Sequence, residues 1–236
     1  MPVTELAHLP LLPSSTSTSG GVPQGPTPAL LATAREVLNI QDAWCAENLP
    51  GDSKKPPQGV GLFSRVDDPS MLLLTAHWDS TAQHGEWIQS QANRDVLEKL
   101  TPHLDMSRVS LFHVDGLEAF TGPDTKAEGE MAVLSAAYVS VSRFVVAADH
   151  KASFERAMTE VGHIQQDFVS PFVHRGGWRI EKQEGSEDKD ECVLIGGWDG
   201  LAKHAEFAKS EGYAEYDKTL KAATLQCNTD FYQKVL

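Results

Sequence analysis

The chain contains two copies of one sequence module. When it is shifted by 120 residues, Leu74–Leu100 aligns without a gap with Leu194–Leu220, and eight positions are identical. Unrelated segments of this length would share about two identities. The identical positions include Trp78, Asp79 and His84 in the first copy and Trp198, Asp199 and His204 in the second. A chain built in this way is expected to fold as two similar units.

Hydrophobic periodicity predicts the order β-α-β-β-α-β in each copy. The first copy predicts strands at 3–12, 60–66, 71–78 and 109–115, a helix at 28–48, and a second helix after an Asp79-Ser80 cap. Its polar, Gly- and Pro-rich segment 13–27 is expected to be a loop. The second copy predicts strands at 137–147, 172–183, 191–198 and 226–235 and helices at 150–168 and 200–222.

This order is typical of a ferredoxin-like unit, an antiparallel four-stranded sheet with helices on one face. We therefore predict an α+β fold with an N-terminal unit at 1–116, a linker at 117–132 and a C-terminal unit at 133–236. Each sheet leaves one face without helices. The two sheets are expected to cover each other within one chain.

Charge and composition exclude several classes of partner. Twenty Lys and Arg against 33 Asp and Glu give a net charge of −13, which repels nucleic acid and anionic membranes. The chain has no apolar run long enough to span a bilayer, and Pro10 and Pro13 interrupt its N-terminal apolar stretch. Three widely spaced cysteines indicate reduced thiols. We expect a cytoplasmic protein.

The junction between the third strand and the second helix carries a motif, W-D-[ST/G]-x-x-x-H-x-E-[WF]-x-x-S, at 78–90 and again at 198–210. In this motif the chain resembles the dimeric α+β barrel superfamily, particularly the tandem versions common in fungal genomes. The resemblance covers nearly the whole chain outside the linker and 13–27. It implies the fold and leaves several activities open, because the superfamily includes cofactor-free antibiotic-biosynthesis monooxygenases, haem-degrading monooxygenases, polyketide cyclases and stress-response proteins.

This chain lacks residues that two activities of the superfamily require. The resemblance to haem-degrading members places a Trp at Trp87 but puts Leu97 where those proteins have the haem-ligating His. The pattern of olivetolic acid cyclase requires Tyr at the position of Trp87 and His at the position of Asn93. The sequence also lacks His and Cys pairs at metal-ligand spacing, phosphate-binding glycine loops and a nucleophile elbow. We expect chemistry without a cofactor.

Polar residues that differ between the copies are the candidates for function. His84 and His204 recur in both copies, which favours a shared packing or capping role. His77 stands where the second copy has Gly197, and His8 and His113 lie on the outer strands of the same copy. We predict that His77, His8 and His113 are catalytic, because imidazole suits acid–base work near neutral pH. The predicted substrate-binding residues are Trp87, Trp44, Arg143 and Tyr213.

The leading hypothesis is a cofactor-free enzyme that cyclises or isomerises a polyketide-like substrate, or closes its ring pericyclically, in an apolar pocket. Two alternatives stay open, a cofactor-independent monooxygenase and a non-catalytic ligand-binding or stress-response protein. The expected partners are a hydrophobic small molecule and, as an open question, a second copy of the chain in a homodimer.

Overall fold

The computed structural model describes residues 2–49, 59–116 and 131–236. By its internal contacts the chain divides into an N-terminal unit, residues 1–116 with 233–236, and a C-terminal unit, residues 117–232. The predicted linker at 117–132 lies outside the described residues except for 131 and 132. Cys45, Cys192 and Cys227 are free thiols. In the described part of the chain, no helix combines the length and apolar character needed to cross a membrane.

The N-terminal unit has the predicted order with one addition. Its elements are β1 (Val3–Pro10), β2 (Thr16–Ser19), β3 (Val22–Pro26), α1 (Pro28–Asn48), β4 (Gly61–Arg65), β5 (Met71–Trp78), α2 (Thr81–Gln89), α3 (Gln91–Leu100) and β6 (Ser110–Asp115). The main sheet runs β6-β1-β5-β4, with β1 antiparallel to both neighbours. Helix α1 begins at Pro28, where the Thr27 hydroxyl accepts a hydrogen bond from the Leu30 amide.

Two local predictions for this unit were wrong. The segment 13–27 is more than a loop, because β2 and β3 pair as a hairpin in which Gly20 and Gly21 have positive φ. The single second helix is two helices, because the Ser90 hydroxyl accepts from the Asn93 amide and starts α3 directly after α2. A serine in an extended conformation there ends one helix and caps the next.

The strands of the N-terminal unit alternate between two faces. Val3, Ala76 and Trp78 pack in one cluster with Val37 and Cys45 of α1, and Leu11 and Leu72 pack in a second cluster with Leu30 and Ala34. Thr4, Thr75 and His77 occupy the alternate positions and belong to the face without helices. Val235 and Leu236, at the chain's end, exchange backbone hydrogen bonds with Leu62.

The C-terminal unit repeats the architecture. Its elements are β7 (Tyr138–Ala147), α4 (Lys151–Val169), β8 (His174–Trp178), β9 (Lys189–Trp198), α5 (Leu201–Phe207), α6 (Tyr213–Ala222) and β10 (Gln226–Lys234), and its sheet order is β10-β7-β9-β8. The strand predicted at 172–183 is shorter, and the helix predicted at 200–222 is again two helices. Phe144, Phe154, Trp198 and Phe207 belong to the buried core between this sheet and its helices.

Candidate active site

The N-terminal unit encloses a cavity of about 230 Å³ between its sheet and helices α1, α2 and α3. Its lining is mostly aliphatic and includes residues of β1, β5, β6 and all three helices. Four polar side chains interrupt this lining: Glu5, Gln41, His84 and Asn93. An apolar cavity with a few placed polar groups is the usual form of a small-molecule site.

Strand register arranges the sheet side of this cavity in rows. Glu5 of β1 lies between Ala76 of β5 and His113 of β6. Two residues further along β1, Ala7 lies between Leu74 and Leu111. Successive rows on one face are about 7 Å apart. The cavity therefore begins at a polar row and continues over an apolar one.

Two hydrogen bonds and one close ion-pair contact join the polar residues at this end. The Trp78 indole Nε1 donates to Glu5 Oε2 over 2.9 Å, and His84 Nε2 lies 3.3 Å from the same oxygen. His84 Nδ1 lies 2.7 Å from His113 Nε2. All four side chains are buried. Glu5, His84 and His113 thus form one network, which we call the Glu5 relay.

The donors and acceptors of the Glu5 relay can be satisfied in one direction. When His113 Nε2 donates to His84 Nδ1, the N–H of a neutral His84 is on Nε2, which faces the Glu5 Oε2 that also accepts from Trp78. Among the described residues, no donor binds the other carboxylate oxygen, Oε1. Burial raises the pKa of Glu5, and the hydrogen bond from Trp78 opposes that rise. A carboxyl group in this setting can exchange a proton with a ligand in the cavity.

Local sequence fixes the position of His84. The Ser80 hydroxyl accepts from the Gln83 amide over 3.2 Å, and the Gln83 side chain bonds both the amide and the carboxylate of Asp79. These contacts cap α2 and set its first turn. The Trp78 ring stacks on His84 at a centroid distance of 4.6 Å and an interplanar angle of 15°. The W-D-S-x-x-Q-H segment therefore places the imidazole beside Glu5.

The C-terminal unit has the same framework without the relay. Its Trp198 indole donates to the Ser140 hydroxyl over 2.8 Å, where Trp78 has Glu5. Its His204 lies against Phe231 at a ring distance of 4.4 Å, where His84 has His113. The corresponding pocket is about 100 Å³. The carboxylate and the second imidazole are thus specific to the N-terminal unit.

The three predicted catalytic histidines do not meet at one site. His113 faces the helices and belongs to the relay. His77 is on the opposite face of the sheet, where its Nδ1 lies 2.8 Å from the Thr4 hydroxyl and its ring lies against Gly59. His8 is on that same face, 6.2 Å from the Phe112 ring. Alternation along β1 separates His8 from Glu5, so the predicted convergence fails.

Two of the four predicted substrate-binding residues are in the N-terminal unit and two are in the C-terminal unit. Trp87 lines the cavity, and Trp44 supports it at a ring distance of 5.3 Å without itself lining the cavity. Arg143 is in the C-terminal unit and pairs with Glu191. Tyr213 lines the smaller pocket of that unit, with its hydroxyl 3.5 Å from Asp217. Of the four, only Trp87 contributes to the cavity wall.

Sequence reasoning missed Glu5 and His84. Glu5 carried a usable signal, since it is an ionisable residue at an inward position of a strand whose neighbours on that face, Val3 and Ala7, are apolar. The aligned first strand has Ser140 there. His84 recurs as His204, which favoured a packing or capping role for both. The two histidines differ in their partners, which are His113 and Phe231. Within the described residues, no group of three or more His, Cys, Asp or Glu side chains is arranged to hold a metal ion.

No protein-family model and no curated protein matches the chain. Solved structures match it over its full length. A chlorite dismutase mutant from Candidatus Nitrospira defluvii is 12% identical, with a TM-score of 0.57, and the match covers 100% of this chain and 92% of that one. An anthrone oxidase-like protein is 13% identical, with a TM-score of 0.56 and coverage of 100% and 92%. A candidate monooxygenase from Lactobacillus acidophilus NCFM is 12% identical, with a TM-score of 0.54 and coverage of 99% and 93%.

These likenesses show the fold and no more, because the identities are low. The α+β class of two tandem ferredoxin-like units, of the dimeric α+β barrel type, is confirmed. The fungal tandem type and the homodimer stay predictions.

Proposed function

We propose that this protein is a small-molecule enzyme that catalyses proton transfer on an apolar, enolisable substrate bound in the N-terminal cavity. The observation that supports it most is the Glu5 relay at one end of an otherwise apolar cavity. Burying a carboxylate and two imidazoles together costs stability unless each is hydrogen-bonded. The C-terminal unit builds the same framework with Ser140 and Phe231. The fold therefore does not need the relay, and function is the better reason for its presence.

The proposed reaction begins at Glu5. Its carboxylate takes a proton from a carbon next to a carbonyl, and the C–H electron pair forms an enolate. His84 holds the carboxylate in place, with His113 supporting His84 as a positioning residue. Return of the proton at another atom isomerises the substrate. Alternatively, the enolate carbon attacks a second carbonyl of the same molecule, a ring bond forms, and the alkoxide takes the proton, which gives the cyclisation of a polyketide-like chain.

A second candidate is oxygenation, which the names of the anthrone oxidase-like and candidate monooxygenase structures favour. Here the same carbanion transfers electrons to O₂ and forms a C–O bond, and Glu5 returns its proton to the peroxide. Loss of water then leaves a new carbonyl, so that one CH₂ and one O₂ give one C=O and one H₂O. Both candidates share the first proton transfer and differ in oxygen consumption.

The test uses nonane-2,4-dione, which is enol-rich in an apolar solvent. After transfer to buffer, loss of the enol absorbance reports ketonisation, and an oxygen electrode reports uptake. We expect the wild-type protein to accelerate ketonisation and Glu5→Gln to lower that rate by about 100-fold or more. The amide can still accept from Trp78, so the variant should keep its fold by circular dichroism.

His204→Gln is the matched control, because His204 is the counterpart of His84 in the unit without the relay. It should retain the wild-type rate. Equal rates for Glu5→Gln and wild type would exclude Glu5 as the base. Binding of the dione with no acceleration by the wild-type protein would favour the non-catalytic ligand-binding alternative.

A further inference from the structure

The polar groups of the cavity are buried, whereas four of its apolar lining residues are exposed. Glu5, Gln41 and His84 are each at most 8% exposed. Ile88, Leu97, Met106 and Leu111 also line the cavity, and they are 43%, 39%, 38% and 40% exposed. Large apolar side chains exposed together around a cavity indicate a binding surface. We call these four residues the apolar mouth.

Gln41 is the unusual member of the buried end. It lies on α1 between Val37 and Cys45, which pack with Trp78 and Trp87 near the relay. The residue is 8% exposed and lines the cavity. Its carboxamide forms no hydrogen bond with any described residue. The polar atoms of this carboxamide are not fully buried, so they open into the cavity. A ligand oxygen in the cavity would supply the missing partner.

We propose that the ligand is a linear amphiphile that enters head first, with an oxygenated head bound by Gln41 beside Glu5 and an unbranched alkyl tail leaving through the apolar mouth. This inference rests on the cavity assigned in the proposed function and specifies its substrate class. The Gln41 amide N–H donates to a head carbonyl or hydroxyl. The rows of β1 then guide the tail from Glu5 past Ala7 and Leu111 to the surface.

Two measurements on the wild-type protein test the orientation, with alkane-2,4-diones as probes and calorimetry as the readout. Affinity should rise about fourfold with each added methylene until the tail passes the mouth, and then level off. A carboxylate at the far end of a long tail should leave affinity nearly unchanged, since that end is in water. Loss of binding by about 100-fold or more on adding this carboxylate would overturn the proposal, because the tail would then be buried.

Variants separate the head from the tail. Gln41→Leu should weaken every member of the series by a similar factor, about five. Leu111→Lys should weaken only the long-tailed members. The control for the mouth is Ile180→Lys, since Ile180 is also 40% exposed and lies in the C-terminal unit. Equal effects of Leu111→Lys and Ile180→Lys, or no effect of Gln41→Leu, would also refute the assignment.

The Glu5→Gln variant distinguishes this inference from the proposed function. It should bind the series with the same dependence on tail length while losing ketonisation. If the wild-type protein shows the tail-length dependence but never accelerates ketonisation, the catalytic proposal fails and the ligand class stands. If ketonisation is accelerated equally for all tail lengths and binding does not depend on the tail, the ligand class fails and the catalytic proposal stands.

Discussion

Filling the cavity should stabilise the protein. Ala7 lies in the row beyond Glu5, is 3% exposed and lines the cavity. Ala7→Leu adds three carbon atoms, each comparable in size to a water molecule at about 30 Å³. They would occupy roughly 90 Å³ by that measure, and the cavity offers about 230 Å³. The larger side chain therefore has room without displacing its neighbours.

The magnitude follows from the buried carbon atoms. Three groups at about 0.8 kcal/mol each contribute roughly 2.4 kcal/mol, and ordering the leucine side chain costs about 0.5–1 kcal/mol. The free energy of unfolding should rise by about 1.5–2 kcal/mol, which raises the melting temperature by about 3–8 °C for a chain of this size. Affinity for nonane-2,4-dione should fall at least about tenfold, because leucine takes the ligand's space.

The assay is urea denaturation of the wild-type protein and two variants. Ala157→Leu is the control, since Ala157 is buried in the packed core of the C-terminal unit. An added leucine there should destabilise the fold by about 1–3 kcal/mol through overpacking. If Ala7→Leu is destabilised as much as Ala157→Leu, the space beside β1 is not available, and the ligand site is misplaced.

Two further perturbations have distinct signatures. Burial lowers the pKa of His77 from 6.5 to about 4, so between these pH values the unfolded chain binds a proton that the folded chain does not. The contribution of His77 to stability should fall by about 3 kcal/mol as pH drops through that window, in addition to the fall from His174, whose pKa burial also lowers to about 4. In urea titrations, His77→Gln, which can still bond Thr4, should lack the His77 contribution. The exposed His150→Gln should retain it. Ser80→Ala and Thr27→Ala each remove a helix cap and should each cost about 1 kcal/mol. Ser80→Ala should slow ketonisation more than Thr27→Ala, because Ser80 is four residues from His84 whereas Thr27 is 14 residues from Gln41 on α1. Equal rates for the two variants would contradict the role of the α2 cap.

The fold was predictable because its signals are local and repeated. The 120-residue repeat and the apolar periodicity placed α1, β5 and both sheets. The errors arose where one or two residues decide the chain's path. Ser90 starts a second helix where composition favours one, and Gly20-Gly21 form the turn of a hairpin where composition favours a loop. Periodicity averages over ten or more residues and does not register such points.

The site was less predictable, because a one-residue step along a strand reverses the face. His8 and Glu5 are three residues apart on β1, and only Glu5 faces the helices. Glu5 against Ser140 is also a difference between the copies, but the prediction rested on His77 because an imidazole titrates near neutral pH. The partnership of His84 with His113 joins residues 29 positions apart, and no local pattern indicates it.

The tryptophan that ends β5 and β9 donates to different hydrogen-bond partners in the two units. Its indole N–H is satisfied equally by a carboxylate in one unit and by a hydroxyl in the other. The module therefore tolerates a change of acceptor without a change of architecture. Ser140→Glu with Phe231→His would place a carboxylate and a second imidazole beside Trp198 and His204, as in the N-terminal unit. At such a position one copy of the module can change its polar groups while both keep the same scaffold.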